Sequence, residues 1–251
     1  MDEIFKPLFS IITICYNEAD TIEKTIVSVI NQTYKNYEYI IIDGCSHDET
    51  MDIIMNFRKF ISILISEPDN GIFDAMNKGL FNAHGKYIIY MNAGDTFYSN
   101  DVLERVYLSL KGNDYDFIYG DTVFKYPFNS IIKKANPFYI KKHIAPMGIC
   151  HQSIFLKTTI ARSIQFNTKF KLTADYNMIY NAFKEYEISV KYLCYPISIY
   201  NINGISSINY SKTIYEILVI YKNENPIYKL FFIFKYCVVM KLYKFIINIF
   251  S

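Results

Sequence analysis

Residues 9–15 (FSIITIC) are an apolar, β-branched run closed by Tyr16, Asn17 and Glu18, which predicts a strand. Ile22, Ile26, Val29 and Ile30 then recur at helical spacing as far as about Gln32, and Asp20 with Glu23 reads as a capping box opening that helix. Residues 37–42 predict a second strand, ending at Asp43, Gly44, Cys45 and Ser46. Ser46 with Glu49 offers another capping box, Met51, Ile54 and Met55 carry the next helix, and residues 60–65 predict a third strand. A turn at Pro68, Asp69, Asn70 and Gly71 leads to a helix that sets Ile72, Met76, Leu80 and Ala83 close to one face, with Gly85 as its stop. Residues 87–91 are a continuous apolar run, as in a strand covered on both faces of a parallel sheet. Asn92, Ala93, Gly94 and Asp95 follow at its carboxyl end, where open α/β sheets bind ligands.

Strand and helix therefore alternate, the signature of right-handed β-α-β units around a mostly parallel central sheet flanked by helices. Further on, Asn100 reads as an N-cap before a helix through Leu103, Val106 and Leu110, with Gly112 as its stop. Residues 116–124 predict a strand, 126–149 irregular structure, 153–156 a short strand, and 175–183 a helix. Residues 192–200 predict a strand broken at Pro196, followed by a turn at Asn203-Gly204. The expected layout is one domain over 1–215, with a first half to about 125 and a second half over 126–215, plus a helical extension over 216–251. In residues 228–250 the lysines at 229, 235, 241 and 244 interrupt every apolar run well short of the ~18 residues of a membrane span. Two readings stand for that helix: a basic, aromatic-rich segment lying among lipid headgroups, or a terminal helix packed on the domain.

Composition narrows the class. At 251 residues and 51% hydrophobic, the chain reads as globular and large enough to bury a substantial core. A formal charge of +2 argues against a general nucleic-acid binder. Five cysteines without a C-x-x-C pair argue against a disulfide framework or zinc site and fit a reducing cytosol. The first residues carry Asp2 and Glu3 and lack the basic-then-apolar layout of a signal peptide. The expectation is a cytoplasmic protein, peripheral on the inner face of the membrane if the terminal helix lies in headgroups.

Glu18, Asp43, Asp69 and Asp95 follow strand ends or a turn beside one. Each has a plain explanation as a turn or cap residue. Adjacent parallel strands finish on the same side, so the four can meet in one crevice. Such a crevice suits a nucleotide: Tyr16 stacks on a base, Asp43 accepts from a base N–H, and an acid holds a divalent cation on a diphosphate. Neither a G-x-G-x-x-G nor a G-x-x-x-x-G-K-[ST] pattern is present, which weakens the redox-dinucleotide and P-loop alternatives.

The segments ITICYNEADTIEKTIVSVINQTY, YEYIIIDGCSHDET, SEPDNGIFDAMNKG and NAGDTF, with CHQSIF, LTADYNMIY and NGISS further on, resemble the bacterial family 2 glycosyltransferases. They are closest to the subgroup that builds colanic acid, O-antigen and other surface polysaccharides. The resemblance runs over roughly residues 9–207 and is specific as a set. It implies the GT-A fold, a nucleotide-sugar donor such as a UDP-sugar, and transfer with inversion to a lipid-linked saccharide acceptor. By this resemblance Tyr16, Asn17 and Glu18 line the nucleoside site, Asp43 reads the base, and Asp69 holds the donor's ribose or sugar. Asp95 matches the last acid of the family's D-x-D metal pattern for Mg²⁺ or Mn²⁺. The first acid's place is taken by Ala93, giving Ala93-Gly94-Asp95, so metal affinity without donor should be weak. The base falls at Asp175, for which a plain helix N-cap is the alternative. His151 and Gln152 resemble the acceptor or diphosphate side, and a structural histidine is equally consistent with His151. His47, His84 and His143 are read as structural. The shortened metal pattern leaves open a non-catalytic member that binds nucleotide sugar or a partner enzyme, and the missing glycine-rich N-terminal loop ranks a sugar-phosphate nucleotidyltransferase low.

Overall fold

The structure is a computed structural model that describes residues 6–126, 129–135, 149–201 and 210–221. Its strands are β1 (Phe9–Cys15), β2 (Tyr37–Asp43), β3 (Ile63–Ser66), β4 (Tyr87–Tyr90), β5 (Thr96–Phe97), β6 (Phe117–Lys125), β7 (Ser130–Lys133), β8 (Ile154–Lys157) and β9 (Val190–Asn201). The helices are α1 (Ile22–Ile30), α2 (Thr50–Asn56), α3 (Ile72–Asn82), α4 (Val102–Leu110), α5 (Thr158–Ile164), α6 (Ala174–Glu185) and α7 (Tyr210–Ile220). The chain divides into two compact units, Met1–Asn203 and Gly204–Ser251. In the second, the described residues form α7 alone.

One sheet runs through the first unit in the order β3-β2-β1-β4-β8-β6-β9-β5, with β7 beside β6. The β3-β2-β1-β4 half is parallel. β8 reverses direction between β4 and β6, and β9 runs parallel to β6. β1 to β4, β6 and β9 thus share one direction among the described strands. β1 pairs with β2 from Phe9↔Tyr37 to Cys15↔Asp43, so the strand ends that carry the candidate residues finish together.

Successive residues of a strand face opposite sides, and both sides here are covered. Phe9, Ile11, Tyr39, Ile41 and Ile89 meet Ile22 and Ile26 of α1, Ile54 of α2, and Leu103 and Val106 of α4. Ile12, Ile14, Ile40, Ile42 and Ile88 meet Met76 and Leu80 of α3, Ala161 of α5, and Met178 and Phe183 of α6. Double coverage explains why β1, β2 and β4 read as unbroken apolar runs. Ile72, expected on the buried face of α3, is exposed, whereas Met76, Leu80 and Ala83 are fully buried.

Several local expectations shift. α1 begins after Thr21, whose hydroxyl donates to Glu18 Oε2 at 2.5 Å, so no Asp20–Glu23 capping box opens the helix. α2 follows Glu49, and Ser46 turns its hydroxyl back to Asp43. Asp101, not Asn100, precedes α4. The third strand begins at Ile63 because residues 58–60 form a 3-10 turn closed by Arg58 Nη1 donating to the Ile61 carbonyl. The break at Pro196 is a register shift within continuous β9, with Asp121 opposite Pro196 and Cys194 at φ 48°. β5 and α5 are not among the expected elements, and β7 stands where irregular structure is expected over 126–149. His143, residues 203–207, residues 228–250 and most of 126–149 lie outside the described residues.

Candidate active site

Two clusters form at the carboxyl ends of the strands. The first joins the loops after β1, β2 and β3. Asp43, fully buried at the end of β2, accepts from Ser46 Oγ (2.5 Å), Ser46 N (3.0 Å) and Ser66 Oγ (2.6 Å), with the Cys15 thiol at 3.7 Å. Ser66 stands directly across from Asp43 in the β2–β3 register. Both carboxylate oxygens of Asp43 thus have partners within the protein. Ser46 Oγ also accepts from Asn17 N (2.8 Å), and Asn17 Oδ1 accepts from His47 N (2.8 Å). Asn17 at φ 53° and Cys45 at φ 65° hold the left-handed conformations that let the two loops interlock.

Asp48 extends this stitching by accepting from Ala19 N (3.1 Å), Thr50 N (3.1 Å) and Thr50 Oγ1 (2.5 Å). The Thr50 bond in particular holds its carboxyl below the usual range. Gly44 is the contact point of Tyr16 and Asp69. A Cβ there would meet Asp69 Oδ2 at 2.6 Å and the Tyr16 ring at 3.3 Å. Asp69 Oδ1 accepts from Gly71 N at 2.8 Å, the turn predicted by the PDNG run. Tyr16, 55% exposed, presents its ring beside this glycine. A hollow of about 500 Å³ opens next to the cluster, lined by residues 17–21 with Asp48 and Glu49. It does not include Asp95 or Asp175.

The second cluster centres on Asp95. Gly94, at φ 92°, donates its N–H to Thr25 Oγ1 (3.0 Å), and that hydroxyl donates to the Asp95 carbonyl (2.7 Å), so α1 fixes the turn. The Asp95 carboxylate is 5% exposed and accepts from Gln152 Nε2 at 2.8 Å. Asn201 N stands 3.5 Å from its other oxygen. Burial pushes its pKa up to about 6 against the opposing Gln152 bond, with His151 and Glu18 also within electrostatic reach. The neighbouring His151 joins two more elements: Nδ1 lies 2.9 Å from Asp175 Oδ2 and Nε2 lies 3.2 Å from Asn92 Nδ2. Asp175 sits in the first turn of α6 rather than at its cap, which is Thr173. Its other oxygen accepts from Tyr176 N at 2.8 Å.

Asp95, His151, Gln152 and Asp175, remote in sequence, are thus brought together, while Tyr16, Asn17, Asp43 and Asp69 gather in the neighbouring loops. Ala93, whose N–H bonds the Ile14 carbonyl at 3.2 Å, offers no ligand atom. Among the described residues no three His, Cys, Asp or Glu side chains gather as a metal cage. Asn92, Ser46 and Ser66 belong to these clusters, although the sequence reading gives none of them a role in the site. The available signal was position, since each lies at or just beyond the end of a parallel strand.

Residues 10–183 match the family model described as glycosyl transferase family 2. The chain is 28% identical over 200 residues, covering 78% of this chain and 77% of the relative, to the PGL/p-HBAD biosynthesis glycosyltransferase of Mycobacterium bovis. Over 104 residues, 40% of this chain and 41% of the relative, it is 38% identical to the putative teichuronic acid biosynthesis glycosyltransferase TuaG of Bacillus subtilis. Among solved structures, S. aureus TarS 1-349 in complex with UDP-GlcNAc superposes with a TM-score of 0.65 at 16% identity, over 84% of this chain and 66% of that one. The mannosyltransferase PcManGT of Pyrobaculum calidifontis, in complex with GDP-Man and Mn²⁺, does so at 0.63 and 15% identity, over 88% of this chain and 64% of that one.

Proposed function

The chain belongs to glycosyl transferase family 2, with a GT-A-like α/β fold, and from that premise we propose that it moves a sugar from a UDP-sugar to a lipid-linked saccharide, with inversion, in surface-polysaccharide assembly. The donor class is supported by the UDP-GlcNAc bound to TarS, and the polysaccharide setting by the likeness to TuaG. The observation that carries the mechanism is the bond between His151 and Asp175. It ties the start of α6 to the turn that presents Asp95.

Inversion needs a carboxylate opposite the leaving diphosphate to take the acceptor hydroxyl's proton as that oxygen attacks the anomeric carbon. Asp175 fills this role. Its side chain is 26% exposed, open enough to meet a hydroxyl, and each oxygen is already aimed by a hydrogen bond. Tyr16, Asn17, Glu18 and Asp69 hold the nucleoside, with Asp43 bracing the loop beneath them through Ser46. Gln152 keeps Asp95 in place. Asp95 suits a Mg²⁺ or Mn²⁺ that arrives with the donor, because it is a desolvated carboxylate with no Lys or Arg bonded to it among the described residues. One carboxylate with diphosphate oxygens and waters satisfies magnesium. When bound, the cation neutralises charge building on the departing UDP. The protein's own contribution is alignment and a fixed electrostatic frame.

UDP release from a panel of UDP-sugars, with Mg²⁺ or Mn²⁺ and a lipid-linked acceptor, tests this reading. Asp175→Asn is expected to lower kcat by about 10²–10⁴-fold while donor binding persists. Wild-type turnover in that variant removes Asp175 as the base. A second reading, a nucleotide-sugar-binding member without catalysis, is favoured by Ala93 in the place of the first metal acid. The same assay decides for it if UDP-sugar binds and no acceptor-dependent UDP appears.

A further inference from the structure

His151 lies in a short 3-10 turn, His151–Ser153, that leads into β8 and is set against the end of β4. Its ring is held on both sides, with Asp175 Oδ2 2.9 Å from Nδ1 and the amide nitrogen of Asn92 3.2 Å from Nε2. An amide nitrogen only donates, so with the Asn92 amide assigned this way Nε2 accepts and the imidazole proton sits on Nδ1. From there it points at a carboxylate, which only accepts when ionised. The three groups form one chain of donors in a single direction, from Asn92 through His151 to Asp175. Turning the Asn92 amide over would place Oδ1 against Nε2 and call for a proton there.

In the orientation the structure adopts, Asn92 Oδ1 is buried without a hydrogen-bond partner. An orphaned acceptor of this kind is uncommon in a folded protein and calls for a reason. Turning the amide so that Nε2–H satisfies Oδ1 costs a neutral ring the Nδ1–H that faces Asp175, whereas a ring protonated on both nitrogens would satisfy both.

We propose that His151 is a positioning residue for Asp175, and that Asn92 sets the tautomer in which it acts. The proposal rests on the reading of Asp175 as the base. His151 then acts through Asp175 and not on the diphosphate or acceptor. Its Nδ1–H fixes Oδ2 while the Tyr176 N–H fixes Oδ1, so the carboxylate meets the incoming hydroxyl in one orientation.

Two measurements on the full chain test it. Long-range ¹H–¹⁵N correlation of ¹⁵N-histidine-labelled protein, with the His151 signals assigned from His151→Asn, is expected to show a protonated Nδ1 and a bare Nε2. In Asn92→Asp, which offers Nε2 only acceptors, a proton is expected on Nε2. In the transfer assay, His151→Ala is expected to lower kcat about tenfold at unchanged donor KM, a small part of the ~10²–10⁴ that a general base supplies. His151→Asn, whose amide N–H reproduces the Nδ1 donor, should recover most of the loss. A protonated Nε2 in the wild type, an unchanged kcat in His151→Ala, or equal impairment of the Ala and Asn variants overturns the proposal. Failure of the base assignment is separate, because it appears as a fully active Asp175→Asn while the NMR arm still reports the tautomer.

Discussion

Asp95 carries a charge the fold does not itself need. Burial raises its pKa from the ordinary aspartate value of 3.8 to about 6. Between those values the folded state holds a proton that the unfolded chain has released, so stability falls as pH rises through that window. The loss amounts to about 3 kcal/mol once both states are ionised. Without cation, Asp95→Asn is therefore expected to be about 1–3 kcal/mol more stable than the wild type at pH 7. The difference should close near pH 4, and sugar transfer should be lost. Denaturant unfolding at both pH values with chelator present checks it, and equal stabilities at pH 7 would show that the buried charge costs nothing. Asp43 is the contrast. Its carboxylate accepts from Ser46 and Ser66, and a single sequence gives no sign which of two strand-end aspartates finds partners within the protein.

The elements divide their ends between two tasks. At the carboxyl ends of β1, β2 and β4 the chain opens into the two clusters of candidate site residues. At the amino end of β2, Glu38 is buried and accepts from Ser10 Oγ (2.6 Å), Gly85 N (3.0 Å) and the His84 amide, with His84 Nδ1 3.1 Å from its second oxygen. This carboxylate ties β1 and β2 to the turn that stops α3 before β4. Glu38→Ala removes the acceptor of the His84 N–H and of the Ser10 hydroxyl, while the Gly85 N–H keeps Ser10 Oγ at 2.8 Å, and is expected to cost about 2–5 kcal/mol. Activity per folded molecule should be unchanged, since Glu38 is five residues and roughly 17 Å along β2 from Asp43. Urea unfolding beside a transfer assay checks both halves, and a selective loss of activity would contradict the division. Helices α1, α3, α4 and α6 were legible because their apolar residues repeat over two or more turns. The caps of α1, α2 and α4 were not, because Asp20, Ser46 and Asn100 each had a competing partner or a neighbouring cap that only folding reveals.

Over the whole molecule, no helix among the described residues is long and apolar enough to cross a membrane. Residues 228–251 lie outside the described residues, and deletion tests the expectation that they lie among lipid headgroups. Their deletion is expected to reduce co-sedimentation with anionic vesicles, and an unchanged distribution would favour the packed-helix alternative. The alternation of apolar runs and helical stripes by itself determined a doubly covered, mainly parallel sheet, because burial on both faces demands continuous apolar strands and the crossovers demand helices. It also placed acids at strand ends that finish on one side. Only the tertiary structure decided which acids face each other and which are already satisfied. Asp95 meets Gln152 and Asp175 meets His151 across 57 and 24 residues of chain. Hydrogen bonds at such separations depend on strand order and loop path, to which local periodicity is blind.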